Sequence, residues 1–360
     1  MIRIDEIYNH TFWPWLKKNR PGYRMFMCDP FGRSDVDSVV NFGQEDIHEH
    51  NYIFFFDQEP IHLNIHTATF DEIIHRNRDI EGAQGAICTS EKHSENVTLL
   101  CDKHGWTHHY YFFHGWAALD WYRGYDRTFL ITPWQQRQPT KTFLAPNRII
   151  AGQRQHRLDM LYWIFKYQLM NNYISCPLSC PAENINIFDA IQTLPYHDTD
   201  MIFRSAPLPM NFQGEHDHPM HSCWLSLFDE SADSLAYLVT ETVATGVRQH
   251  LTEKTFKPIA MGMPFIVLGT RHSLQYLRSY GFRTFDTVWD ESYDNADDNH
   301  RAHHIAKLLH DLDSMTAAQR YDLYKQCWPI IEHNWNHFYH GGFEQILWQD
   351  LGDMLNGIHF

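Results

Sequence analysis

The chain lacks any apolar run approaching the ~20 residues that a membrane-spanning helix needs, and no apolar signal-peptide core follows its first residues. The expectation is a soluble, cytoplasmic protein with no membrane partner. Cysteine is scarce and scattered. Of the seven (Cys28, Cys88, Cys101, Cys176, Cys180, Cys223, Cys327), only Cys176 and Cys180 lie close together. An odd, dispersed set argues against a disulfide framework, and one C-x3-C pair with no partner pair is a weak metal signal, so reduced thiols are expected. Positive charge is in short supply: 29 Lys+Arg stand against 44 Asp+Glu, a net −15 that argues against an extended nucleic-acid footprint. Internal repeats and low-complexity tracts are absent as well.

What is present is material for a core. With 43% hydrophobic and 15% aromatic residues, 360 residues suffice for two α/β domains of ordinary size. The stretch "TPWQQRQPTK", residues 132–141, reads as a linker between a domain at 1–138 and one at 139–360. In the first part "RMFMCD" (24–29), "NYIFFFD" (51–57), "GAICTS" (85–90) and "HHYYFFH" (108–114) read as strands, with the helix-like "SEKHSENVTLLCDKHG" between two of them. In the second, "KTFLAPN" (141–147) and "SLAYLVTET" (234–242) read as strands and "RLDMLYWIFKYQLMNN" (157–172) as a helix. A helical tail from Ala317 to Phe360 is broken at Gly341-Gly342. Alternation of this kind predicts an α/β fold with parallel sheets and helices on their faces, and two such units in tandem would place a ligand cleft between them at the carboxyl ends of the strands.

The most telling stretch is "LTEKTFKPIAMGMPFIVLG", residues 251–269. Pro264 to Gly269 has the composition of a strand buried on both faces. Thr252 is the N-cap candidate of a helix ahead of it, made short or kinked by Pro258. A helix start offering backbone N–H groups, Lys254 and a threonine hydroxyl suits phosphate. Glu253 in the same turn does not, but a carboxylate accepts hydrogen bonds from ribose hydroxyls. Together they point to a nucleotide.

A general base would be a carboxylate or imidazole at a strand's carboxyl end, and "FFFDQEPIH" runs an apolar strand straight into Asp57 and Glu59. Glu59 is the first choice and Asp57 the second, with a polar turn as the structural alternative. His114 and Asp120 in "FFHGWAALDWYRG" form a similar strand-end group: His114 as base or orienting residue, Asp120 toward the acceptor. Lys17, Lys18, Arg20 and Arg24 stand among aromatic residues in 13–26, a composition that can hold a nucleic-acid strand or simply form a solvated face. Arg148 and Lys257 are further cations, suited to neutralising phosphate or simply lying at the surface. Most of the 26 histidines are expected at the surface or in the core. Asp-x-Asp strings at 35–37, 198–200 and 311–313 are too common in an acidic chain to signify a metal. Glu215, His216, Asp217, His218 and His221 could form a ligand cluster, which would favour a metal-dependent hydrolase. A non-catalytic binding protein on the same fold is a further alternative.

"VTET", "HLTEKTFKPIAMGMPFIVLG" and "LQYLRSYGFRTFDTVWDESYD" together resemble the glycosyltransferases encoded by tailed bacteriophages and, more distantly, the α1,3-fucosyltransferase family. The resemblance covers residues 141–300 and is most specific at 240–294. It implies a GT-B architecture of two Rossmann-like domains facing a central cleft, an acceptor-binding one at 1–138 and a nucleotide-sugar-binding one with a helical tail at 139–360. It implies donor contacts from Asn147, Arg157, Glu241, Thr252, Glu253 and Lys254, with Glu253 on the ribose and Lys254 and Arg157 on the diphosphate. The implied reaction moves a sugar from a nucleotide diphosphate to a hydroxyl, without cofactor or divalent metal. The acceptor is either a hydroxymethylated base in duplex DNA or a glycan. Glu241-Thr242-Val243 stands where the fucosyltransferases carry Glu-Asn-Ser, so a GDP-fucose donor is not implied.

Overall fold

The computed structural model describes residues 4–19, 24–27, 40–41, 51–76, 83–147, 149–150, 152–180, 185–212 and 224–358. By its internal contacts the chain divides into two units. One comprises Met1–Asp120, Val247–His250 and Glu344–Phe360; the other comprises Trp121–Gly246 and Leu251–Phe343. Both are mixed α/β, each with a largely parallel sheet and many helices.

In the first unit, strands β1 (Arg24–Met27), β2 (Val40–Asn41), β3 (Tyr52–Phe56), β4 (Gly85–Thr89) and β5 (Thr107–Tyr110) lie in the order β2-β1-β3-β4-β5. Every pairing is parallel except β1 with β2. All five residues of β3 are buried, as their unbroken apolar run requires of a central parallel strand. Alternation along the strand sorts them into two sets. Phe54 and Phe56 face the core formed with Phe26, Phe70, Ile73 and Trp106. Phe55 points the other way, edge-on to Phe12 and Trp13 of the N-terminal helical segment at 5.3 and 5.2 Å. Gly85 is required where it stands, because a Cβ there would lie 2.5 Å from the Trp106 ring. The strand expected at 108–114 ends at Tyr110, and a helix (Phe113–Tyr122) begins before His114.

The second unit carries β6 (Lys141–Ala145), β7 (Tyr173–Ile174), β10 (Ser234–Thr240) and β11 (Phe265–Leu268) in the all-parallel order β11-β10-β6-β7. A separate antiparallel pair joins β8 (Ser179–Cys180) to β9 (Ile185–Asn186). The stretch 132–141 is packed into this unit. Arg137 is buried, donates to the carbonyls of Ser231 and Ser234 (3.0 Å for the latter) and to Tyr324 Oη at 3.2 Å, and lies over the Tyr324 ring. The helix expected at 157–172 is Gln155–Lys166, because Gln168 turns into the left-handed region (φ 59°) and redirects the chain toward β7. The tail forms two helices, Ala317–Tyr339 and Gly342–Gly357, the first closed by a Thr316/Gln319 capping box. Among the described residues no helix is long and apolar enough to cross a membrane.

Candidate functional site

At the carboxyl end of β10 the second unit gathers its polar groups. Glu241 is fully buried, and its carboxylate accepts four hydrogen bonds: from the N–H groups of Thr242 (3.2 Å) and Thr252 (3.1 Å) and the hydroxyls of Thr252 and Thr255 (2.5 Å each). Those donors belong to both ends of the 242–251 loop, so one side chain closes it. Thr252 is the N-cap of the Glu253–Ala260 helix, as its hydroxyl and position ahead of Glu253 predict. Pro258 lies inside that short helix.

Behind the carboxylate stand two buried arginines. Arg157, on the Gln155–Lys166 helix, donates to the carbonyls of Ile149 (2.8 Å), Thr240 (3.1 Å) and Glu241 (3.1 Å). Arg301, on the Asp298–Asp313 helix, donates to the carbonyls of Ala244 (2.8 Å) and Gly269 (3.0 Å). Their planar forks tie down the loops that leave β6, β10 and β11. Part-buried His156 donates Nε2 to the Glu241 carbonyl at 2.8 Å, and burial together with the Arg157 charge pushes its pKa down to about 3. Asn147, just past β6, accepts from the Thr240 hydroxyl at 2.5 Å.

The polar end of this network is the Glu253–Lys254 pair. Lys254 Nζ lies 2.7 Å from Glu253 Oε1 and within 3.4 Å of the Thr242 and Thr252 hydroxyls. Its side chain keeps 29% of its surface exposed, against 6% for Glu253. A cation and a carboxylate at a helix N-terminus can serve one ligand in two ways, phosphate at the lysine and sugar hydroxyls at the glutamate. All six residues expected at a donor (Asn147, Arg157, Glu241, Thr252, Glu253, Lys254) are thus joined through hydrogen bonds at one sheet edge. Glu291 and Asp294 in "WDESYD" have structural uses there. Glu291 accepts from Phe285 N–H (2.7 Å) and the Thr284 hydroxyl (2.6 Å), and Asp294 caps the Ser273–Ser279 helix through Leu274 N–H (3.0 Å).

The first unit brings different groups together, at the carboxyl ends of β3 and β4. Asp57 continues the alternation that faces Phe55 away from the core, and is 2% exposed. Tyr8 Oη donates to its Oδ2 at 2.5 Å. Burial raises the Asp57 pKa to about 6, opposed by the Tyr8 hydrogen bond, its own backbone N–H and the His114 charge. His114 is buried in the first turn of its helix, its ring edge-on to His250 at 5.1 Å. Glu59 lies two residues beyond Asp57 in a bend and is half-buried. Asp120 accepts from Ile4 N–H at 3.1 Å, anchoring the N-terminal helical segment. Nearby, Glu91 is fully buried and paired with Arg248 at 3.1 Å.

Lys17 and Lys18 are exposed on the Trp13–Asn19 helix. Arg24 lies in β1 with its side chain outside the described residues, as are Arg20, Arg148 and the whole 214–223 loop with Glu215, His216, Asp217, His218 and His221. Asp198 bonds Tyr162 and Lys166, and Asp313 bonds Thr142 and Asn172, so these members of the Asp-x-Asp strings are held within the fold. Cys176 is a buried free thiol whose pKa burial pushes up to about 12. Among the described residues, no group of three or more His, Cys, Asp or Glu side chains is placed to hold a metal ion.

Sequence reading missed Tyr8 and Arg301. Arg301 did leave a trace: it occupies the stripe of Ile305, Leu309 and Leu312, where an apolar residue belongs. Tyr8 left none.

No protein-family model matches the chain, and no curated protein matches it. A solved structure of the DNA-modifying enzyme β-glucosyltransferase, determined with and without uridine diphosphoglucose, matches over 84% of this chain and 74% of that one. The identity is 8% and the TM-score 0.39, a loose likeness that leaves the activity to be argued from the residues themselves.

Proposed function

We propose that this protein is a glycosyltransferase of GT-B type that moves a sugar from a nucleotide-diphosphate sugar to a hydroxyl acceptor. The observation that carries this reading is the Glu253–Lys254 pair at a helix N-terminus, backed by the closed Glu241 network. Lys254 binds the diphosphate and stabilises it as leaving group, and Glu253 holds the ribose. Glu241, Arg157, Thr252 and Asn147 keep the two loops in register, so that the donor meets a preformed site. No metal or cofactor is needed in this scheme.

In the reaction the acceptor oxygen bonds to the anomeric carbon as the carbon–oxygen bond to the diphosphate breaks, and a base takes the acceptor's proton. We assign the base to Asp57 ahead of Glu59. A carboxylate held near 6 is ionised at neutral pH yet far more basic than an ordinary one. His114 orients it.

The test is a thermal-shift screen of UDP, GDP, CMP and dTDP sugars, with and without EDTA, on wild type and Lys254→Ala. A ligand that binds only the folded state raises the melting temperature. The expected result is a shift with one nucleotide, insensitive to EDTA and reduced in Lys254→Ala; no shift with any nucleotide overturns the reading. The acceptor is a hydroxymethylated base in duplex DNA or a glycan. Salt-dependent binding of duplex DNA, weakened by Lys17→Glu, selects the first; indifference to DNA selects the second.

A further inference from the structure

The N-terminal segment changes register where it meets Asp57. Residues Ile4–Ile7 and Trp13–Asn19 are α-helical, but Tyr8–Phe12 between them form a π-helical turn, closed by the Trp13 N–H bonded to the Tyr8 carbonyl five residues back. The cause lies in the sequence. Pro14 has no N–H to offer the carbonyl four residues earlier, and its ring crowds that carbonyl, so the turn widens. Widening changes where side chains point, and the residue at the head of the wide turn is Tyr8.

Tyr8 is held on all sides. Its ring stacks on Phe12 and Trp13 at 5.7 and 5.9 Å and meets Tyr111 edge-on at 6.1 Å, while Asp120 fixes the start of the segment at Ile4. Its hydroxyl reaches Asp57 Oδ2 at 2.5 Å. Burial and the Asp57 charge keep the phenol protonated, so it is the donor in this bond. Among the described residues, the other titratable groups facing Asp57 are Cys88 from β4, Tyr111 beyond β5 and His114 from the Phe113–Tyr122 helix. Burial keeps Cys88 and Tyr111 neutral.

We propose that Tyr8, aimed by the π-helical turn that Pro14 imposes, is a positioning residue that orients the Asp57 carboxylate and holds it in its charged form. The proposal rests on the reading of Asp57 as the group that takes the acceptor's proton. A donor hydrogen bond to a carboxylate favours its ionised form. Removing only the hydroxyl therefore leaves the aromatic packing intact and makes Asp57 harder to ionise.

Two measurements on Tyr8→Phe test this. The first follows Asp57 itself, by 13C-carboxyl NMR of aspartate-labelled protein with the resonance assigned through Asp57→Asn. Its titration is expected to move up by about one unit from the wild-type value. The second is the pH profile of sugar transfer. Its acid limb is expected to move with the titration, so activity falls about fivefold at pH 6 and is nearly unchanged at pH 8, with donor affinity unaffected. An unmoved carboxyl titration overturns the proposal. A titration that moves while the acid limb stays put removes Asp57 as the base and Tyr8's catalytic role with it, leaving the donor site untouched. If wild type transfers no sugar from any donor, the function assigned above fails, and the NMR titration alone still decides whether Tyr8 controls Asp57.

Discussion

Asp57 and Glu241 occupy equivalent addresses: each is a buried carboxylate at the carboxyl end of a central parallel strand, one per unit. Their surroundings differ. Glu241 accepts four hydrogen bonds from two backbone N–H groups and two hydroxyls, supplied by Thr242 and by Thr252 and Thr255 at the start of the helix beyond the loop it closes. Among the described residues, Asp57 has one side-chain donor, Tyr8, and its own backbone N–H. Burial of a charge costs several kcal/mol unless hydrogen bonds offset it. The contrast teaches that strand-end position alone does not set what a buried carboxylate does. Saturated with donors, such a group acts as a strut. Under-supplied, it carries the raised pKa of a proton acceptor.

The sharpest way to break this comparison is to remove the strut. Glu241→Ala should leave two backbone N–H groups and two hydroxyls without their acceptor, at about 1–3 kcal/mol each, and cost about 5 kcal/mol in all by urea denaturation. A loss below about 1 kcal/mol would show that Glu241 is not the closure of its loop.

Asp57→Asn should do the reverse. The folded pKa of about 6 exceeds the ordinary 3.8, so the fold favours the protonated acid. That contribution is present below pH 4 and lost as pH rises through 6. The variant should therefore be more stable than wild type at pH 7.5, by up to about 3 kcal/mol, with the advantage vanishing by pH 4. Transfer should fall at least about a hundredfold. Glu59→Gln, measured alongside, should keep most activity; the opposite pattern would move the base to Glu59. A smaller loss than at Asp57 is expected at Lys254→Ala, a weakening of nucleotide-diphosphate-sugar binding by about tenfold by calorimetry, the worth of one charge-assisted hydrogen bond.

Legibility in the sequence followed chemical distance along the chain. The Thr252 cap, the helix shortened around Pro258 and the buried strand after it are relations within a few residues, and "LTEKTFKPIAMGMPFIVLG" carries them openly. The β3 run into Asp57 was equally plain. The stretch 132–141 was not: its prolines and glutamines look like a free linker, yet Arg137 is buried against Ser231, Ser234 and Tyr324, far along the chain. His114 was misplaced at a strand end because "HHYYFFH" is apolar throughout, and apolar runs do not separate a strand from the first turn of a buried helix.

By itself the sequence determined the α/β character, the cap-helix-strand order around Glu253 and Lys254, and the strand-end placing of Asp57. Those follow from local periodicity, capping and turn chemistry. Tertiary structure alone decided which carboxylate would be saturated and which would have, among the described residues, one phenol as its side-chain donor. It also aimed Arg157 and Arg301 at backbone carbonyls, and set Tyr8 against a residue 49 positions away. Burial and hydrogen-bond supply depend on what other segments deliver to the same point, and no local pattern encodes that.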